Sequence, residues 1–135
     1  MLELYQEVLK KLEHLEVQIQ LVKETLEKAS ATYKPTEGMA TAAKRALKWH
    51  EEGKPGGTII GLTRANQLKN RENLSESVVL RMHSFFSRHE KSTKGGQGYK
   101  VGDDGYPSPG KIAWLLWGGD AGFTWSKNIV DKLQD

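Results

Sequence analysis

GYPSPGKIAWLLWGGDAGFTW, residues Gly105 to Trp125, contains three of the four tryptophans of the chain. Each tryptophan is worth roughly 3–5 kcal/mol when buried, judged by truncation. Three so close together read as the centre of a core. The local grammar is helical. Ser108 stands where a helix cap belongs, and Pro109 occupies the first helical position. Ile112, Ala113, Trp114, Leu115, Leu116 and Trp117 are apolar nearly all round, which predicts a helix buried on every side. Gly118-Gly119 breaks it. Asp120 is then placed to cap a last helix near 121–133, whose apolar residues are Phe123, Trp125, Ile129, Val130 and Leu133. The alternative for Asp120 is an ion pair with Arg81 or Arg88.

Working back from this core, Lys91 to Gly105 is glycine-rich and polar, a long connection for a small domain. Asp103-Asp104-Gly105 resembles the start of a calcium loop. Tyr106-Pro107 follows where further oxygen ligands should stand, so an aspartate-capped turn is the reading the residues support. Before the loop, Ser75 caps a helix over about 76–91, with Val78, Val79, Met82, Phe85, Phe86 and His89 on its buried side. His83 and His89 are six apart and do not share a face, which predicts packed histidines rather than metal ligands. Another helix is expected near 58–69, carrying Ile59, Ile60, Leu62, Ala65 and Leu68. The glycine-rich GKPGGT turn before it could receive a phosphate at a helix start, but it lacks the lysine-serine pair of a P-loop. The helices over 58–69 and 76–91, joined by a short polar turn, form a helix-turn-helix-like pair and raise DNA binding as an alternative. Glu76 at the start of the second is ill suited to facing phosphate. Thr36 caps a helix over about 37–52, whose Met39, Ala42, Ala43, Ala46, Leu47 and Trp49 suit close packing.

Residues 2–33 contain neither proline nor glycine and are rich in Leu, Glu, Lys and Gln. Apolar residues recur there at alternating steps of three and four. Tyr5, Leu12, Ile19 and Leu26 take the a positions; Val8, Leu15, Val22 and Ala29 take the d positions, and Tyr33 would extend the row. A domain of about 100 residues has a radius of gyration near 13 Å, too small to cover a helix about 45 Å long. The seam therefore predicts a homo-oligomeric coiled coil. β-branched residues at d, with leucine at a, favour a trimer or tetramer over a parallel dimer. Lys11 and Glu16 suit a g–e pair between parallel neighbours.

The fold expected is all-α: a long coiled-coil helix over residues 1–34, then a compact tryptophan-rich domain of about five short helices over residues 35–135. The 135 residues carry a net charge of +3. With no cysteine, disulfides and thiolate metal sites are excluded, and an intracellular setting is expected. Neither a signal peptide nor an apolar run of about 18 residues is visible, so no membrane association is expected. Neither a catalytic constellation nor a cofactor motif emerges. Asp103, Asp104, Asp120, His83 and His89 are the only raw material for an enzyme.

Residues 39–133 resemble a small domain of unknown function carried by tailed bacteriophages, found alone or attached to head-assembly proteins such as prohead proteases. The resemblance rests on Ala43-Lys44-Arg45, Gly57-Thr58, Arg64-Ala65 with Leu68, and Arg81-Met82 with Ser84-Phe85-Phe86 and Arg88-His89-Glu90. It continues through Gly105-Tyr106-Pro107-Ser108-Pro109-Gly110-Lys111-Ile112-Ala113-Trp114, Trp117-Gly118-Gly119-Asp120-Ala121-Gly122 and Trp125. The chain departs from it after His89-Glu90, where Lys91-Ser92-Thr93 replaces an acidic-basic pair. The resemblance implies a phage source, in the virion or the host cytoplasm, and transfers no catalytic residue.

Two functions follow as expectations. The first is a non-enzymatic oligomer displaying an interaction domain that binds a phage head component or another protein. The second is a nucleic-acid-binding module using Arg64, Lys69, Arg71, Arg81, Arg88, Lys94, Lys100 and Lys111 with nearby aromatic rings. The residues singled out for a partner of either kind are Arg64, Arg81, Arg88, His89, Lys111 and Asp120.

Overall fold

The computed structural model describes residues 1–29 and 31–135, the side chains of residues 27–29 excepted. Among these it contains six helices and one two-residue ladder. The chain divides into two compact units, Met1–Ala31 and Thr32–Asp135.

The first unit is one helix, α1 (Leu2–Ala29). At 1.5 Å per residue its 28 residues span about 42 Å. Each expected seam residue from Tyr5 to Leu26 keeps between 48% and 63% of its surface exposed, and Leu2, Leu4 and Leu9 are exposed as well. The side chain of Ala29, the last residue of the seam, lies outside the described ones.

The helical reading of residues 2–33 runs too far. Thr32–Tyr33 is a strand, β1, paired antiparallel with β2 (Leu74–Ser75), in the register Thr32↔Ser75 and Tyr33↔Leu74. The units therefore meet between Ala31 and Thr32, not at residue 34, and Tyr33 does not extend the seam. Two causes act together. Threonine and tyrosine suit a pleated backbone, and Pro35 drives Lys34 out of helical conformation.

The second unit holds five helices: α2 (Glu37–Glu51), α3 (Ile59–Lys69), α4 (Glu76–Lys94), α5 (Pro109–Leu116) and α6 (Gly119–Leu133). Four start on side-chain caps that satisfy N–H groups a helix cannot satisfy itself. Thr36 accepts from Met39 N, Thr58 from Gly61 N, Ser75 from Val78 N and Ser108 from Lys111 N. The α4 helix passes the expected end at residue 91 and stops only at Gly95.

The α5 helix packs against all four of the others. Its Ile112, Trp114 and Leu116 are fully buried. The Trp114 indole meets Phe86 edge-on at 4.8 Å and Phe123 edge-on at 5.8 Å, while Phe86 stacks on Phe123 at 5.4 Å. Met39, Ala43 and Ala46 of α2, Ala65 and Leu68 of α3, and Met82 of α4 complete this core. The α3 helix packs on α2 and α5, whereas α4 packs on α6. Little contact joins α3 to α4, so they are not the docked pair of a helix-turn-helix.

Asp120 does not cap the last helix. That helix starts at Gly119, with Gly118 as its cap residue in left-handed backbone (φ 112°) and no side-chain cap bond. The loop between α4 and α5 is ordered by its own bonds. Asp103 Oδ2 accepts Lys100 N at 3.1 Å, so this aspartate caps a turn, and Ser108 N donates to Gly98 O at 2.9 Å.

Candidate functional site

A groove of about 600 Å³ separates α3 from α4 and has the end of α5 for its floor. Helical periodicity builds it. The α4 helix contributes Leu80 and Arg81, then Ser84 and Phe85, then Arg88 and His89, three pairs each one turn further on. The α5 end gives Ala113 and Trp117, again one turn apart, and the start of α3 gives Gly57, Thr58 and Ile60. Phe85 and Trp117 lie nearly parallel, 13° between planes and 4.6 Å between centroids, so the floor is a stacked aromatic pair. Ile60 and Leu80 are exposed aliphatic residues on its lining.

The charged residues that line this groove are of one sign. Arg81 and Arg88 line it and are exposed. No carboxylate is among the lining residues, and none of the ion pairs among the described residues involves Arg64, Arg81 or Arg88. The Arg88 Nε donates to Ser84 O of its own helix, at 3.3 Å.

Arg64, expected at the surface, is buried. It shares the core-facing side of α3 with Ala65 and Leu68. Its guanidinium lies over the Trp117 ring at 5.3 Å, and Nη1 donates to Gln67 Oε1 at 2.6 Å. Among the described residues the Nε has no partner. Burial, and after it the charge of Arg81, pull this guanidinium below the usual arginine range. A cation so placed contributes a fixed positive potential to the groove beside it.

His89, expected on the buried side of α4, is exposed. The face of α4 that enters the core is Val79, Met82 and Phe86. His89 stands one turn beyond Phe85 on the groove-lining face, its ring 4.9 Å from the Phe85 ring. His83 is apart from it, with Nε2 3.4 Å from Ser87 Oγ. Among the described residues, no three His, Cys, Asp or Glu side chains gather closely enough to hold a metal ion.

Lys111 and Asp120 belong to a second cluster that does not line the groove. Asp120 Oδ1 accepts from Trp114 Nε1 at 3.0 Å and lies 3.0 Å from Lys94 Nζ. Its ion-pair partner is thus Lys94, not Arg81 or Arg88, because α4 runs one turn longer than expected. Burial pushes the Asp120 carboxyl up, but bonds from Lys94 and Trp114, with the charges of Lys94 and Lys111, outweigh it and hold the group below the usual carboxylate range. Burial alone would lower Lys94. The bond and charge of Asp120, aided by Tyr99 and Glu90, raise it instead. Lys111 caps the Tyr99 ring at 4.0 Å, and burial followed by the neighbouring cations Arg45 and Lys94 lowers its pKa despite Asp120. These contacts hold the loop and the α5–α6 corner together.

Of the six candidates, then, the structure brings Arg81, Arg88 and His89 to one groove, with Arg64 behind its floor. Arg71, another basic residue of the nucleic-acid reading, is also committed structurally, its Nε donating to Pro35 O at 2.9 Å. The sequence reading missed the Phe85–Trp117 floor and the exposed Ile60 and Leu80. A usable signal was present: Leu80, Ser84 and Arg88 recur every four residues on the side of α4 opposed to its core stripe.

Among the described residues no helix is long and apolar enough to cross a membrane. No family model, curated protein or solved structure matches this chain.

Proposed function

We propose that this chain is a non-enzymatic interaction protein. In this reading α1 self-associates through the seam Tyr5, Val8, Leu12, Leu15, Ile19, Val22 and Leu26, and the oligomer displays several copies of the helical domain, each offering its groove to a partner protein. The observation that carries the reading is the exposure of the whole described seam. Monomeric proteins rarely leave so long an apolar row in water. Covering half-exposed side chains at about 1 kcal/mol each gives roughly 7 kcal/mol per helix, comparable with the cost of association. A trimer or tetramer is the assembly favoured by valine at d. The resemblance of residues 39–133 to a tailed-phage domain supports a partner in the virion head. It also supports the virion or host cytoplasm as the place of action.

The test is sedimentation equilibrium at micromolar concentration. The natural chain should run as a trimer or tetramer, and the double variant Leu12→Asp, Ile19→Asp as a monomer that keeps the helical signal of the domain. A monomeric natural chain counts against the reading.

Nucleic-acid binding is the second reading, favoured by one observation: Arg81 and Arg88 flank a groove without a carboxylate. It predicts affinity that falls steeply with salt.

A further inference from the structure

We infer that the groove between α3 and α4 receives an extended acidic segment of a partner protein, which seats an apolar side chain over the Phe85–Trp117 stack and sets carboxylates against Arg81 and Arg88. The inference rests on the reading of the helical domain as a binding module and names the chemistry of its partner.

Charge complementarity is the first ground. The two arginines are exposed, lie two turns apart on one helix face, and have no carboxylate partner among the described residues. Seven residues of helix separate them by about 10 Å along the axis. On an extended chain of polyproline-II form, with three residues per turn, carboxylates three residues apart share a side and stand about 9 Å apart, close to the same spacing. Behind the floor, Arg64 is buried against Trp117, its Nε unpartnered among the described residues, and adds positive charge on that side of the groove. The start of α3 adds partial positive charge. Thr58 accepts for Gly61 and Leu62, so the N–H groups of Ile59 and Ile60 lack an acceptor within the helix.

The lining decides what kind of anion fits. Trp117 is only 9% exposed, and Phe85 is half-buried between it and Phe86. Such rings give a floor for a side chain to rest on, not free faces on which nucleobases stack in succession. The aliphatic Ile60 and Leu80 suit a leucine or phenylalanine better than a sugar-phosphate backbone. Arginine forks also match carboxylates two bonds at a time.

The experiment is calorimetric titration of the full chain at low salt with three probes. These are an acidic dodecapeptide with aspartate at every third position and leucine and phenylalanine between, the same peptide with asparagine for aspartate, and dodecathymidylate. The acidic peptide should bind at least tenfold more tightly than the asparagine peptide. Arg81→Ala with Arg88→Ala should weaken it at least tenfold, and Leu80→Ser severalfold. Both arginines are exposed, so the double variant should unfold at the same urea concentration as the natural chain. Binding of dodecathymidylate in preference to the peptide overturns the inference in favour of nucleic acid. Failure of all three probes to bind, or indifference to the arginine changes, overturns it outright. Sedimentation is read separately, so loss of the oligomer reading and loss of this inference give different results.

Discussion

Trp114 has one polar atom to satisfy, and Asp120 satisfies it from across the Gly118–Gly119 break. The indole is fully buried, so Asp120→Ala leaves its N–H without an acceptor and should cost about 1–3 kcal/mol in urea unfolding. Asp120→Asn keeps an acceptor and loses only the exposed pair with Lys94, so it should cost less than about 1 kcal/mol. The pH dependence has a definite sign. The folded carboxyl titrates below its unfolded value, so its contribution is complete above about pH 4 and is lost as pH falls through the folded pKa. Lys94 titrates above its unfolded value, so its share persists up to about pH 10 and is lost beyond. The gap between the natural chain and Asp120→Asn should be level from about pH 5 to 9 and close toward pH 2. A gap unchanged at pH 2 argues against the pair. At this scale the sequence was legible where the partner is local. Thr36, Ser75 and Ser108, read as caps, each accept from an N–H three residues on. It was opaque where the partner is distant, because neither the Asp120–Lys94 pair nor the burial of Arg64 is visible until the helices are packed.

The corner between α5 and α6 turns in two residues, and its tightness extends into the last helix. A Cβ on Gly122 would stand 2.8 Å from Trp117 O and 3.1 Å from Phe86 Cζ. The first neighbour is backbone and the second is a ring locked in the core, so neither can yield. Gly122→Ala should therefore destabilise by about 1–3 kcal/mol, although alanine is the better helix former. Chemical denaturation measures this, and a neutral or stabilising result means the corner has slack. The helices themselves were readable from apolar spacing and breaking glycines. What escaped were the two-residue ladder, too short to show a period, and the groove, which exists because α3 and α4 turn to different neighbours. Adjacency in sequence had suggested that those two helices pack together.

The two units have different chemistry. Residues 1–34 carry five lysines and six glutamates, and the rest of the chain carries the positive excess. If α1 joins the copies as proposed, their grooves come within about millimolar effective concentration of one another. On a surface densely coated with the acidic dodecapeptide, the natural chain should dissociate on the order of 10²-fold more slowly than the Leu12→Asp, Ile19→Asp variant. Surface plasmon resonance measures this, and equal rates would mean that the copies act singly. The antiparallel pair Thr32–Tyr33 with Leu74–Ser75 acquires a mechanical meaning here. Any pull transmitted along α1 enters the domain at Thr32. There it is taken up by the ladder that leads directly into α4, and by the Arg71 clasp on Pro35 and Glu37 just behind it. The load is thus divided between two attachment points before it reaches the tryptophan core.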